Sequence, residues 1–114
     1  MHFGDFGFGS LCINETTYEH DLVVDRGKIR KRKKKPSKRF REDGHTSLSI
    51  EEKIPWRCQR LVIGTGAYGR LPVMEEVKRE AERRHVELLI APTSKAIQLI
   101  EKDSAANAIL HVTC

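Results

Sequence analysis

Three short apolar runs govern the second half of this chain: RLVIG at 60–64, VELLIAP at 86–92 and AILHVTC at 108–114. Continuous apolar runs of this length, bounded by turn residues, suit strands buried on both faces. The stretches between them have helical spacing instead. LPVMEEVKREAERRH, 71–85, places Pro72 at a first-turn position and repeats Val73, Val77 and Ala81 every four residues. In the next stretch Thr93 is the expected cap of a helix that carries Ala96, Ile97 and Ile100 on one face. The order strand, helix, strand, helix, strand with short crossovers predicts a parallel sheet with helices packed against it.

The first half has a different rhythm. FGFGSLCI and DLVVDRG are β-branched or alternating runs that close on glycine, and they predict two or three antiparallel strands within residues 1–27. TSLSIEEKI offers Ser47 or Ser49 as an N-cap, with Glu51 and Glu52 in the first turn and Pro55 as the stop, so a short helix is expected there. The class is therefore mixed α/β, of the α+β kind. A length of 114 residues supports one domain with one modest core. Residues 1–27 supply the N-terminal strands and 45–114 the helix and strand core.

Between them lies KIRKRKKKPSKRFR, residues 28–41, which holds ten of the 21 Lys and Arg and no acid. The rest of the chain is net acidic, so the overall charge of +5 comes from this one segment. Like charges repel and Pro36 breaks any regular pattern, which predicts an exposed loop or a frayed edge strand. The ten cations are Lys28, Arg30, Lys31, Arg32, Lys33, Lys34, Lys35, Lys38, Arg39 and Arg41. With Phe40 available to stack, they form a candidate surface for RNA, DNA or another anion, whose affinity would fall with salt. The plainer reading is a solvated loop that confers solubility or answers an acidic protein partner. No helix-turn-helix, RNP or zinc-finger signature accompanies the run.

GTGAYG at 64–69 has the spacing of a dinucleotide-binding turn. That fingerprint also needs a helix N-terminus under the glycines and an acid about 20 residues on, at the end of the next strand. Here Leu71 and Pro72 intervene before the helix, and Glu87 stands at the start of VELLIAP. The glycines read better as a tight turn that lets helix and strand approach closely. An anion or metabolite lodged at the turn is the alternative.

Nucleophilic and metal chemistry find little support. Cys12, Cys58 and Cys114 include no C-x-x-C pair, and no His, Cys and carboxylate spacing matches a zinc site, so no metal or cofactor is expected. On a terminal strand His111 would share a face with Thr113 and oppose Cys114. A pocket formed by His45, Thr93 and His111 beside Gly64, Thr65, Gly66 and Gly69 is the small-ligand or enzymatic alternative. The competing view is that these polar groups satisfy backbone at strand ends. The N-terminus lacks a signal-like apolar stretch and no run approaches membrane-span length, so the expectation is a cytoplasmic protein with no membrane attachment.

GHTSLS, RLVIGTGAYGRL, APTSKAI and the terminal HVTC occur in this order over almost the whole chain. Together they resemble a small uncharacterised domain family shared by archaeal and bacterial hypothetical proteins, the adipogenesis-associated domain-containing protein and a mitochondrial complex I assembly factor. The Lys-rich run is not among the shared features. The resemblance implies a compact three-layer domain without a firmly assigned catalytic activity, and it places His45 and HVTC among recurring features. Some relatives act through partners, in differentiation or respiratory-complex assembly. The expectation is thus a non-enzymatic binding or assembly module for a protein partner, as a monomer or homodimer.

Overall fold

The computed structural model describes residues 1–42 and 45–114, apart from the side chains of Glu42 and His45. Its centre is a five-stranded sheet. In chain order the contributing strands are β4 (Leu22–Asp25), β5 (Lys28–Lys31), β8 (Arg60–Gly64), β9 (Glu87–Ala91) and β10 (Asn107–Leu110). Their spatial order is β5-β4-β10-β8-β9. β8, β9 and β10 run parallel to one another, whereas β4 and β5 pair antiparallel, so the two halves of the sequence meet at β10. Ala108 lies opposite Val24 on one side and Val62 on the other, and all four β10 residues are buried.

Side-chain alternation sorts this sheet into two faces. Leu22, Val24, Val62, Ala108 and Leu110 face a core completed by Ala96, Ile97 and Ile100 of helix α2 (Thr93–Lys102). Phe3, Leu11 and Ile13 join them from a smaller antiparallel sheet of β1 (Phe3–Gly7), β2 (Ser10–Ile13) and β3 (Thr16–Tyr18). Val23, Leu61, Ile63 and Ile109 face the other way, onto Val77 and Ala81 of helix α1 (Glu75–Arg83) and onto Leu48 and Ile54. The central sheet is therefore the middle of three layers. A two-stranded ribbon, β6 (Arg41–Glu42) and β7 (His45–Thr46), follows a 3₁₀ helix at Lys35–Phe40.

Four local expectations need correction. TSLSIEEKI forms one turn and no helix: the Glu51 amide meets Ser49 Oγ at 3.3 Å, while Leu48 is bridged to Val73 and the Glu52 side chain is drawn into a buried ion pair. Helix α1 starts at Glu75 and not at Pro72, because Leu48 exchanges backbone hydrogen bonds with Pro72 and Met74 and holds that stretch extended. Thr93 is the first helical residue and makes no cap bond; its hydroxyl is committed elsewhere. The last strand ends at Leu110, since from His111 onward the chain turns to bond the glycine turn and Asp21.

Candidate functional site

The glycine turn is filled by the chain's own C-terminus. A Cβ on Gly66, whose φ is +104°, would lie 2.4 Å from the Cys114 carbonyl carbon and 2.7 Å from His111 Cδ2. Only glycine leaves room for that backbone and the imidazole edge. A Cβ on Gly64 would meet Thr93 Oγ1 at 2.8 Å, so this glycine admits helix α2. The amides that would cradle a phosphate are engaged internally. Gly66 N–H donates to Thr93 Oγ1 (2.8 Å), Ala67 to the Thr113 carbonyl (2.7 Å) and Arg70 to the Cys114 carbonyl (2.9 Å). Thr65 is buried and its hydroxyl donates to the Ala91 carbonyl, while Gly69 N–H donates to Gly66 O. Thr93 Oγ1 donates in turn to the His111 carbonyl at 2.7 Å. The turn, Thr93 and the His111 main chain thus come together as packing. The side chain of His45 lies outside the described residues.

The His111 ring leads to a cluster that sequence reasoning missed. Its Nδ1 lies 2.8 Å from Asp21 Oδ2, and its Nε2 lies 3.1 Å from Thr113 Oγ1, although residues 111–114 are not in a strand. Asp21 also accepts from Arg32 Nη1 (2.9 Å) and the Val112 amide (3.0 Å), and Lys34 Nζ stands 3.4 Å away. Arg32 turns its other edge to Glu52 in a two-pronged pair, with both contacts at 2.8 Å. Ser37 donates to Glu52 at 2.6 Å and lies 2.6 Å from Ser49. Asp21 and Arg32 are each only 2% exposed. Burial by itself raises the Asp21 carboxyl, but the hydrogen bond and charge of His111, then Lys34 and the Val112 amide, hold it well below the usual carboxylate range. Burial likewise opposes the Arg32 charge, and Glu52, then Asp21, outweigh it and raise the guanidinium.

The basic segment is accordingly not uniform. Arg32 is interior, a correction to its place in the exposed patch, because strand alternation carries past β5: Lys31 and Lys33 point outward and Arg32 inward. Arg39 pairs with Glu51 and stacks over Phe40, 4.7 Å from the ring centroid, which covers the aromatic face expected to receive a base. Arg30 donates to the Lys53 carbonyl. Lys28 and Arg30 line a cleft with Asp25, and Arg41 is exposed at the start of the ribbon. Lys31, Lys33, Lys34, Lys35 and Lys38 converge on a separate cleft of about 680 Å³, with Asp21 and Thr113 in its wall.

At the opposite edge of the sheet lies an apolar surface. Gly9 N–H donates to the Val112 carbonyl, which sets the β1–β2 turn beside the glycine turn and brings Phe8 and Tyr68 to 6.0 Å between ring centroids. Both are solvent-facing, Phe8 at 61% and Tyr68 at 67%. Tyr68, Leu71, Val73, Ile90 and Pro92 line a groove of about 400 Å³ in which Lys78 is the sole charged wall residue among those described. Among the described residues no group of three His, Cys, Asp or Glu side chains could hold a metal ion, and no helix is long and apolar enough to cross a membrane.

Residues 3–109 match the model of a family described as "Protein of unknown function (DUF498/DUF598)". The chain is similar over its full length to a conserved hypothetical protein from Pyrococcus horikoshii OT3, with 32% identity, 100% of both chains covered and a TM-score of 0.88. It is also similar to the solved structure of a protein named MT938, with 28% identity over 98% of this chain and 97% of that one and a TM-score of 0.75. A Mth938-like domain protein from Bordetella pertussis shares the fold at 13% identity, covering 96% and 84% of the two chains with a TM-score of 0.61. No curated protein matches the chain. On the family match and the full-length likeness, the chain belongs to the DUF498/DUF598 family of proteins of unknown function.

Proposed function

We propose that this chain is a non-catalytic binding module that holds a protein partner along the outer edge of β9. The observation that supports this is the concentration of exposed apolar surface there: the Phe8 and Tyr68 rings and the adjoining groove, which Ile90 enters from β9. Exposed apolar patches rimmed by polar residues are the usual mark of an interaction site. Among the described residues β9 is hydrogen-bonded to a neighbouring strand on one side only, which leaves its other side for an added strand. Lys78, the sole charged wall residue among those described, is already paired with Glu75 at 3.0 Å, so the groove offers an occupant mainly apolar surface. The occupant that suits this edge is a different protein offering an extended apolar segment that adds beside β9.

The test is a comparison of wild type with Ile90→Lys. Proteins retained from a lysate by wild type are reconstituted with the pure chain, and amide hydrogen exchange maps the footprint. Protection at 67–71 and 87–91, with binding lost in the variant, is the expected result. A footprint elsewhere, or retention unaffected by Ile90→Lys, overturns the reading. Sedimentation of the pure chain that reveals a dimer abolished by the substitution replaces the partner with a second copy.

A second, enzymatic reading rests on the alignment of Asp21, His111 and Thr113, a carboxylate, an imidazole and a hydroxyl in hydrogen-bonding order. It is the weaker one, because the same Asp21 oxygen also serves Arg32 and Lys34 and its charge is divided. Turnover of p-nitrophenyl acetate or phosphate by wild type and not by Thr113→Val would establish it.

A further inference from the structure

We infer that the lysine cleft is a binding site for a compact polyphosphate anion, the group carried alike by inorganic tripolyphosphate and a nucleoside triphosphate. Five ammonium groups arise here within eight residues, and the local backbone aims them at one space. Lys31 and Lys33 share a side by strand alternation. Lys35 and Lys38 are three apart in the 3₁₀ helix, where residues at that spacing eclipse one another. Ser37, on the other side of the same helix, is buried against Glu52 and Ser49. The helix is thereby fixed to the body and its lysines are held over the cleft.

The charges inside the cleft do not cancel. Among the described residues Glu19 and Asp21 are its acids, and Asp21 is already shared by Arg32, His111 and Lys34. Convergent like charges lose repulsion when an anion enters, and concave surfaces of one sign focus the field that draws it in. Lysine presents compact point charges suited to phosphate oxygens in varied geometry. The volume of about 680 Å³ lies within the range of roughly 300–1,000 Å³ usual for small-molecule sites.

A nucleic-acid backbone is the less suitable occupant. It needs cations spaced along a track, yet Lys28 and Arg30 belong to another cleft, Arg39 is paired with Glu51 and Arg32 is interior. Phe40, the aromatic that would stack a base, is already covered by Arg39.

The experiment is an amide-resolved NMR titration of the full chain at physiological ionic strength with sodium tripolyphosphate, ATP, adenosine and a 12-base-pair RNA duplex, each run beside sodium sulfate of equal ionic strength. The expected result is saturable one-to-one binding of tripolyphosphate and ATP, with shifts at His20, Lys31–Lys38 and Thr113 and none with adenosine. Affinity falls at least tenfold in Lys33→Ser/Lys35→Ser, whose two positions are exposed, and the spectrum elsewhere is unchanged. ATP and tripolyphosphate binding equally identifies the phosphates as the whole determinant, and tighter ATP adds a nucleoside contact at the same site. The inference is overturned if tripolyphosphate acts no more strongly than sulfate. It is equally overturned if the RNA duplex alone saturates, with shifts spread over Lys28, Arg30 and Arg41.

Discussion

The two edges of the central sheet are built in opposite ways. β5 reads KIRK, carries cations at its exposed positions and continues into the lysine cleft, whereas β9 reads ELLIA and leaves Ile90 in solvent beside Tyr68. Exposed edge strands invite pairing with other chains, and lysine is a common guard against it. The β5 edge has that guard and β9 lacks it: Glu87, the one charge on β9, is engaged by Arg60. On the two proposals above, one edge takes anions and is guarded against strands, and the other takes a protein segment. The difference extends inward, since Arg32, directly after β5, enters a buried polar network, whereas β9 is held by apolar packing against Val62, Ile63 and the helices.

The largest expected effect breaks the polar anchor. Arg32→Ala removes the guanidinium shared by the buried Asp21 and Glu52, and removal of one partner from a buried ion pair costs about 3–5 kcal/mol. Arg32→Lys keeps the charge but loses the two-pronged contact with Glu52 and should fall between the variant and wild type. Urea unfolding of the three proteins measures this. A loss under about 1 kcal/mol for Arg32→Ala, the scale of an exposed ion pair, would mean that the basic edge is not anchored through this residue.

Arg32 also marks the limit of what sequence could reveal. β8, β9, β10, helix α2 and the body of α1 are legible because their apolar spacing is set by burial, which is the same wherever the neighbours come from. The three-layer arrangement and the family were reached from ordered motifs. The network was not, because a run of ten cations reads locally as solvated, and its partners Asp21 and Glu52 lie 11 and 20 residues away from Arg32. A signal was present in the alternation Lys31-Arg32-Lys33, which puts arginine, the better buried-pair former, at the inward position. TSLSIEEKI misled for the same reason: Ser49 and Glu52 look like helix-starting residues, yet they serve this network.

Acid sharpens the contrast next. The Asp21 carboxyl is held below its unfolded value, near 4, so its contribution is fully present above about pH 5 and declines as pH falls through and below 4. Wild type should lose stability steadily over that acid range. Asp21→Asn, already weaker at pH 7, should show a shallower acid slope in urea midpoints measured from pH 7 to pH 3. Parallel slopes for the two proteins would remove Asp21 from the account.

On the β9 side the corresponding break is steric. Gly66→Ala imposes a positive φ on an L side chain and drives its Cβ into the Cys114 and Thr113 backbone. Strained backbone of this kind costs about 1–3 kcal/mol. The loss should appear in thermal unfolding together with amide shifts at 111–114. Gly7→Ala meets open space and has no positive φ, so it serves as the neutral control.

The smallest effects on stability carry the most information about the edges, and they come from exchanging their character. Lys28→Val/Lys31→Val removes two exposed cations from β5, and Ile90→Lys places one on β9; surface changes of this kind stay within about 0.5 kcal/mol. Their effects on association should run in opposite directions. The valine pair exposes an apolar edge strand and should produce concentration-dependent self-association by sedimentation. Ile90→Lys should leave the chain folded and abolish binding at the β9 groove. If the valine pair stays monomeric at about 1 mM, then the cations of β5 are not what keeps strands away from that edge, and the lysines retain only their role around the cleft.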